Sequence, residues 1–186
     1  PRAEILALVR GFEGLELAAE MHAAGRGIVF LTPHLGCFEI TAQAAAERVP
    51  LTVLYRPAKI EWLRPLMERG RAGRNMALAS ADLAGVRQLL SALKRRETVG
   101  ILPDQVPGEG EGEWTEFFGR PAYTMTLAAK LVERADVASF LVTSRRLPRG
   151  AGYALRMVPL APALPGESGT RRINRAVEEA VRTCPE

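Results

Sequence analysis

Gly27-Ile28-Val29-Phe30-Leu31-Thr32 is a short apolar run rich in β-branched residues, closed by Pro33 and followed at once by His34. A run this short, apolar at successive positions and bounded by Gly and Pro, reads as a strand buried on both faces. Four further runs have the same character: Leu51 to Tyr55, Thr98 to Leu102, Val137 to Ser144 and Tyr153 to Val158. Met76 to Leu78 reads as a very short extra strand. The stretches between them carry helical periodicity. Leu63, Leu66 and Met67 share one face of 60–72, and Leu83, Val86, Leu89, Leu90 and Leu93 share one face of 82–95. Asp82 suits the positive first turn of that second helix. Thr124 is placed to cap a helix carrying Leu127, Leu131 and Val132, and Ile173, Val177, Ala180 and Val181 stripe the last one. The first 24 residues read as helix broken near Gly11 and Gly14.

Continuous apolar strands alternating with helices imply an α/β fold, with a largely parallel central sheet covered by helices on both faces. At 186 residues the chain fits one domain, 1–186, around a single core. In such sheets ligands bind beyond the carboxyl ends of the strands. Three successive strands there run into Thr32-Pro33-His34, Tyr55-Arg56-Pro57 and Leu102-Pro103-Asp104-Gln105. If the strands are neighbours, a base, a fixed cation and a carboxylate open into one crevice. The spacing from His34 to Glu39 adds chemistry. Gly36 can start a helix through Phe38 and Ile40, which puts Glu39 in its first turns with its carboxylate folded back on the imidazole. A carboxylate on one ring nitrogen fixes the tautomer and makes the other nitrogen a better proton acceptor.

Composition excludes several functions. The net charge of +4 is a mild bias towards anionic partners and falls short of a nucleic-acid signature. The cations are mostly Arg and they cluster: Arg64, Arg69, Arg71 and Arg74; Lys94, Arg95 and Arg96; Arg145, Arg146 and Arg149. Arg suits bidentate contact with phosphate or carboxylate. Cys37 and Cys184 form no disulfide framework and point to a reducing compartment. With only two histidines, His22 and His34, and no CxxC pair, a metal site has too few ligands. No apolar run approaches the ~20 residues a membrane-spanning helix needs, and a secretory signal pattern is missing. There is no G-x-S-x-G elbow and no G-x-x-x-x-G-K-[ST] loop, while the glycines at 108–112 alternate with carboxylates that repel phosphate. Cys37, three residues from His34, is the rival nucleophile, and would make the protein a thioesterase or a covalent acyltransferase.

The runs GIVFLTPHLGCFE, YRP and LPDQ, then Phe117-Phe118-Gly119 with Pro121 and Thr124, resemble the lipid A biosynthesis lauroyl/myristoyl acyltransferases, within the glycerolipid acyltransferase-like group. The likeness runs from about Gly25 onward, in order and at plausible gaps. It implies transfer of a fatty acyl chain from an acyl carrier protein thioester to a hydroxyl of a glycolipid, such as a lipid A precursor, at the cytoplasmic face of the bacterial inner membrane. It implies His34 as the catalytic base with Glu39 as its acidic partner. Arg56, Asp104, Arg71 and Gln105 are implied as substrate-binding residues, Asp104 orienting Arg56 or the sugar. No cofactor is expected. Phe117 and Phe118 read first as core or loop anchors and second as walls of an acyl channel. The family usually begins with a hydrophobic anchor and continues past a Pro-Glu pair, so the chain from Pro1 to Glu186 is expected to lack both ends and to meet the membrane peripherally or through an anchor. Two alternatives share the fold: an acyltransferase for a different lipid acceptor, and a non-catalytic module binding lipid or carrier protein.

Overall fold

The computed structural model describes residues 2–56, 60–71 and 75–184, without the side chains of Arg2, Leu63, Arg64, Met67 and Arg69. Pro57 and Arg74, and those side chains, therefore lie outside the described residues. In chain order come α1 (Arg2–Leu6), β1 (Val9–Glu13), α2 (Leu15–Ala23), β2 (Gly27–Leu31), α3 (Phe38–Ala45) and β3 (Leu51–Tyr55). After a 3-10 turn at Glu61–Leu63 follow α4 (Arg64–Arg71), β4 (Met76–Ser80), α5 (Leu83–Lys94) and β5 (Thr98–Ile101). Then come β6 (Gly112–Phe117), β7 (Arg120–Met125), α6 (Thr126–Val132), β8 (Val137–Leu147), β9 (Gly152–Pro159) and α7 (Gly169–Thr183).

The main sheet has the order β1-β9-β8-β2-β5-β3-β4. Its pairs are parallel except β8 with β9. All five residues of β2 are buried. Ile28 and Phe30 pack with Leu15 and Ala18 of α2 and with Ala45 and Val49 at the end of α3. Val29 and Leu31 pack on the opposite side with Leu89 and Leu93 of α5, Leu131 of α6 and Ile173 of α7. Both faces are covered, so successive positions of the strand must be apolar, as the uninterrupted run requires. Asp82 caps α5, its carboxylate accepting from the Gly85 amide at 2.9 Å.

Two expectations change. The first 24 residues are not helix throughout: Val9–Glu13 is a strand pairing in parallel with β9. Gly11 weakens a helix there, and the free edge of β9 offers backbone partners that no local pattern reveals. Thr124 does not cap a helix either. It lies in β7, which forms an antiparallel hairpin with β6, and its hydroxyl accepts from the buried Asn174 amide at 2.9 Å. The hairpin turn, Phe118-Gly119, has positive φ at both residues, 49° and 73°. A bulky residue is costly in that region. The buried Glu178 carboxylate accepts from the Phe118 amide at 2.9 Å, and Arg182 stands 5.1 Å over its ring.

The loop from Leu160 to Ser168 is strapped to α7. Arg172 donates to the Ala161 carbonyl at 2.7 Å, and Arg175 donates to both oxygens of Glu167 at 2.7 Å. The Arg175 guanidinium, helped by the Leu164 amide, holds the Glu167 carboxyl down at about 2 from an ordinary 4.5. Because the folded-state value is the lower one, this contribution is complete above the unfolded value and is lost as pH falls through the folded one. Glu167→Gln should therefore lower the melting temperature at neutral pH, with the gap to wild type closing as the pH falls from 4.5 towards 2. Thermal melts across that range check it.

Candidate active site

The parallel register brings the expected residues to one edge. Leu31 of β2 is level with Ile101 of β5, so His34 and Asp104, each three residues further on, leave neighbouring strands at the same height. On the other side of β5, Val53 of β3 is level with Gly100, and Arg56 follows β3 out of that edge. Past His34 the chain must turn sharply to enter α3. Gly36 takes a positive φ of 62° there, which costs a residue without a Cβ little.

The carboxylate of Asp104 grips His34 twice. One oxygen accepts from the His34 backbone amide at 2.7 Å and the other stands 2.9 Å from Nδ1. The Phe38 ring lies edge-on to the imidazole, with centroids 4.6 Å apart. Asp104 therefore favours the tautomer with the proton on Nδ1, leaving Nε2 as the acceptor. The Gln105 side-chain amide donates to that Nε2 at 3.2 Å. A neutral hydrogen bond of this kind is worth about 0.5–1.5 kcal/mol net, so an incoming hydroxyl can displace it at small cost.

Glu39 does not fold back on the imidazole. Its carboxylate is held by Arg71, whose Nη2 and Nε each reach one oxygen. The reason is geometric. Glu39 sits in the first turn of α3 and looks across to α4, whereas Asp104 arrives on a strand hydrogen-bonded beside that of His34. Asp104 is engaged with His34 rather than with Arg56. Arg56 is exposed and, among the described residues, forms no ion pair. Cys37 is turned towards a small apolar cluster with Ile40 and Leu155.

His34, Glu39, Arg56, Arg71 and Gln105 all line one cavity of about 580 Å³. Its apolar wall includes Val53, Leu78, Val86, Ile101, Met125 and Leu127. Asp104 is not in the wall and stands behind His34. Phe117 and Phe118 are also outside it: Phe117 packs against the core and Phe118 forms the hairpin turn. Lys130 of α6 lines the cavity and was not singled out from sequence. The available signal was a lone cation three residues after Leu127 on an otherwise apolar helix. The acidic loop contributes Gly110 and Glu111 to the wall, and the Glu111 carboxylate accepts from the Gly108 amide at 3.0 Å.

Residues 2–186 match the model of the bacterial lipid A biosynthesis acyltransferases. The chain belongs to that family. It is 29% identical over 180 residues to a lipid A biosynthesis lauroyltransferase of Escherichia coli K12, covering 93% of this chain and 57% of the relative. It is 25% identical over 177 residues to the palmitoleoyltransferase of lipid A biosynthesis from the same organism, covering 94% and 57%. A Haemophilus influenzae lipid A biosynthesis acyltransferase is 22% identical over 180 residues, with 94% and 55% covered. The chain thus spans little more than half the length of the curated relatives it matches.

In this family member the geometry makes Asp104 the group that sets the imidazole's tautomer. In ¹⁵N NMR, Asp104→Asn should move the His34 proton from Nδ1 towards Nε2, because an amide can donate to Nδ1 where the carboxylate only accepts. Glu39→Gln should leave the tautomer as it is. The reverse pattern would return Glu39 to the imidazole.

Proposed function

We propose that the chain houses the acyl-transfer centre of a lipid A biosynthesis-type acyltransferase, with His34 as general base. The observation that carries this reading is the imidazole itself: Nδ1 is tied to Asp104, and Nε2 is open to an exchangeable contact in a largely apolar cavity. An acceptor hydroxyl takes the place of the Gln105 amide and gives its proton to Nε2. Its oxygen attacks the thioester carbonyl carbon, the tetrahedral intermediate collapses, and the carbon–sulfur bond breaks. The thiolate leaves and takes up the proton held by the imidazolium. No covalent acyl-enzyme is needed.

Arg56 and Arg71 are the groups suited to phosphate or carboxylate on the acceptor, since a guanidinium binds such anions bidentately. Arg71 is pre-set by Glu39, which makes Glu39 a positioning residue in this scheme rather than the partner of the base. The donor is an acyl carrier protein thioester and the acceptor a hydroxyl of a glycolipid such as a lipid A precursor. The place of reaction is the cytoplasmic face of the bacterial inner membrane. Among the described residues no helix is long and apolar enough to cross a membrane, and peripheral contact suits this reading.

His34→Ala should reduce transfer by at least the ~10²–10⁴-fold that general base catalysis contributes, with circular dichroism and melting temperature close to wild type. Asp104→Asn should lower turnover in the same direction, and Cys37→Ser should leave it intact. The assay is release of free carrier-protein thiol in the presence of a glycolipid acceptor. Near-normal turnover by His34→Ala would sink the scheme, and loss of activity in Cys37→Ser would revive the covalent route.

A further inference from the structure

Single apolar side chains scattered over a surface are ordinary, so their distribution is what matters. Ten large hydrophobic side chains are exposed among the described residues. Five of them, Ile60, Trp62, Leu66, Leu83 and Val106, belong to segments that frame the cavity. Leu83 is itself part of the wall and is 77% exposed. Val106 follows Gln105, a wall residue. Ile60, Trp62 and Leu66 lie between Arg56 and Arg71, which both line the cavity. Tyr55 donates to Glu68 at 2.7 Å, which fastens α4 to the end of β3. Trp62 is 76% exposed and, among the described residues, makes no aromatic or cation–π contact. An exposed indole with two exposed aliphatic side chains, Ile60 and Leu66, within four residues of it in sequence is a costly arrangement unless something covers it.

Charge identifies the covering. In sequence, 56–74 has six basic residues, Arg56, Lys59, Arg64, Arg69, Arg71 and Arg74, against the two acids Glu61 and Glu68. That excess of four equals the net charge of the whole chain, so the remainder is balanced. Apolar and aromatic side chains interleaved with Arg match a headgroup layer, where rings and aliphatic chains enter the interface and guanidinium groups meet phosphate. A patch serving an acidic protein by charge would not need an exposed Trp, Ile and Leu together.

We infer that Ile60, Trp62 and Leu66, with Leu83 at the cavity mouth, form the contact by which this protein rests on an anionic lipid surface, so that the acceptor enters the cavity from the bilayer. The inference rests on the lipid-acceptor reading above and adds the surface through which the lipid arrives.

The chain's two tryptophans, Trp62 and Trp114, make the test local. In the full chain carrying Trp114→Phe, Trp62 emission should shift to the blue on vesicles of phosphatidylcholine with phosphatidylglycerol, and be quenched by brominated acyl chains. On phosphatidylcholine alone both effects should shrink, as should vesicle binding at high salt. Trp62→Ser with Leu66→Ser should weaken vesicle binding by on the order of tenfold, with transfer to a detergent-dispersed acceptor unchanged. The inference is overturned if Trp62 stays water-like on the anionic vesicles, if Trp114 in a Trp62→Phe chain is quenched while Trp62 is not, or if the shift tracks protein concentration without vesicles, which would mean a second copy. Transfer to dispersed acceptor without a Trp62 response would leave the acyl-transfer reading standing. A Trp62 response without transfer from any donor would leave this surface standing and remove the other.

Discussion

The pairing of β2 between β5 and β8 is the constraint on which the remainder depends. A strand with parallel partners on both sides and helices on both faces has no exposed position, and every one of its five residues is buried. Full burial fixes its height in the sheet, because sliding by one residue would exchange the side chains meant for the two cores. Fixed height in turn sets where His34 emerges and that Asp104, leaving β5, emerges beside it. A clamp spanning 70 residues of sequence with hydrogen bonds of 2.7 and 2.9 Å rests on that shared height.

Two carboxylates, an imidazole and a guanidinium meet at this edge of the sheet, and each carboxylate takes one partner. Asp104 holds the imidazole by its backbone and its ring, which orients a proton acceptor. Glu39 holds Arg71, which orients a cation. Side-chain exposures of 27% and 43% leave that second pair well hydrated. Such a pair contributes little to stability, and it holds the Arg71 guanidinium beside the cavity that both residues line. Gln105 completes the arrangement by donating to Nε2 at 3.2 Å.

The far side of the cavity is built differently. The β6–β7 hairpin is fastened to α7 through buried polar groups: Asn174 to the Glu116 carbonyl and Thr124 hydroxyl, and Glu178 to the Phe118 amide and Arg171. Buried polar groups are tolerated when each is satisfied, and here they tie the last helix to the hairpin beside the acidic loop. The apolar wall draws on strands and helices alike, Val53, Leu78, Ile101 and Met125 from strands and Val86 and Leu127 from α5 and α6.

Sequence alone determined the elements whose neighbours are uniform. β2, β3, β5 and α5 were legible because burial on both faces, or on one helical stripe, leaves its full pattern in the local order of residues. The shared edge at which His34, Arg56, Asp104 and Gln105 leave their strands was legible for a related reason: an apolar run that stops at a Pro or a charged residue shows where a strand ends. Tertiary structure decided what depends on distant partners. The β1 strand exists because β9 has a free edge, and Thr124 sits in a strand because Asn174 reaches its hydroxyl. Above all, the partner of His34 was a question of register. Glu39 is five residues away in sequence but enters on a helix aimed at Arg71, whereas Asp104 is remote in sequence and adjacent through hydrogen-bonded strands.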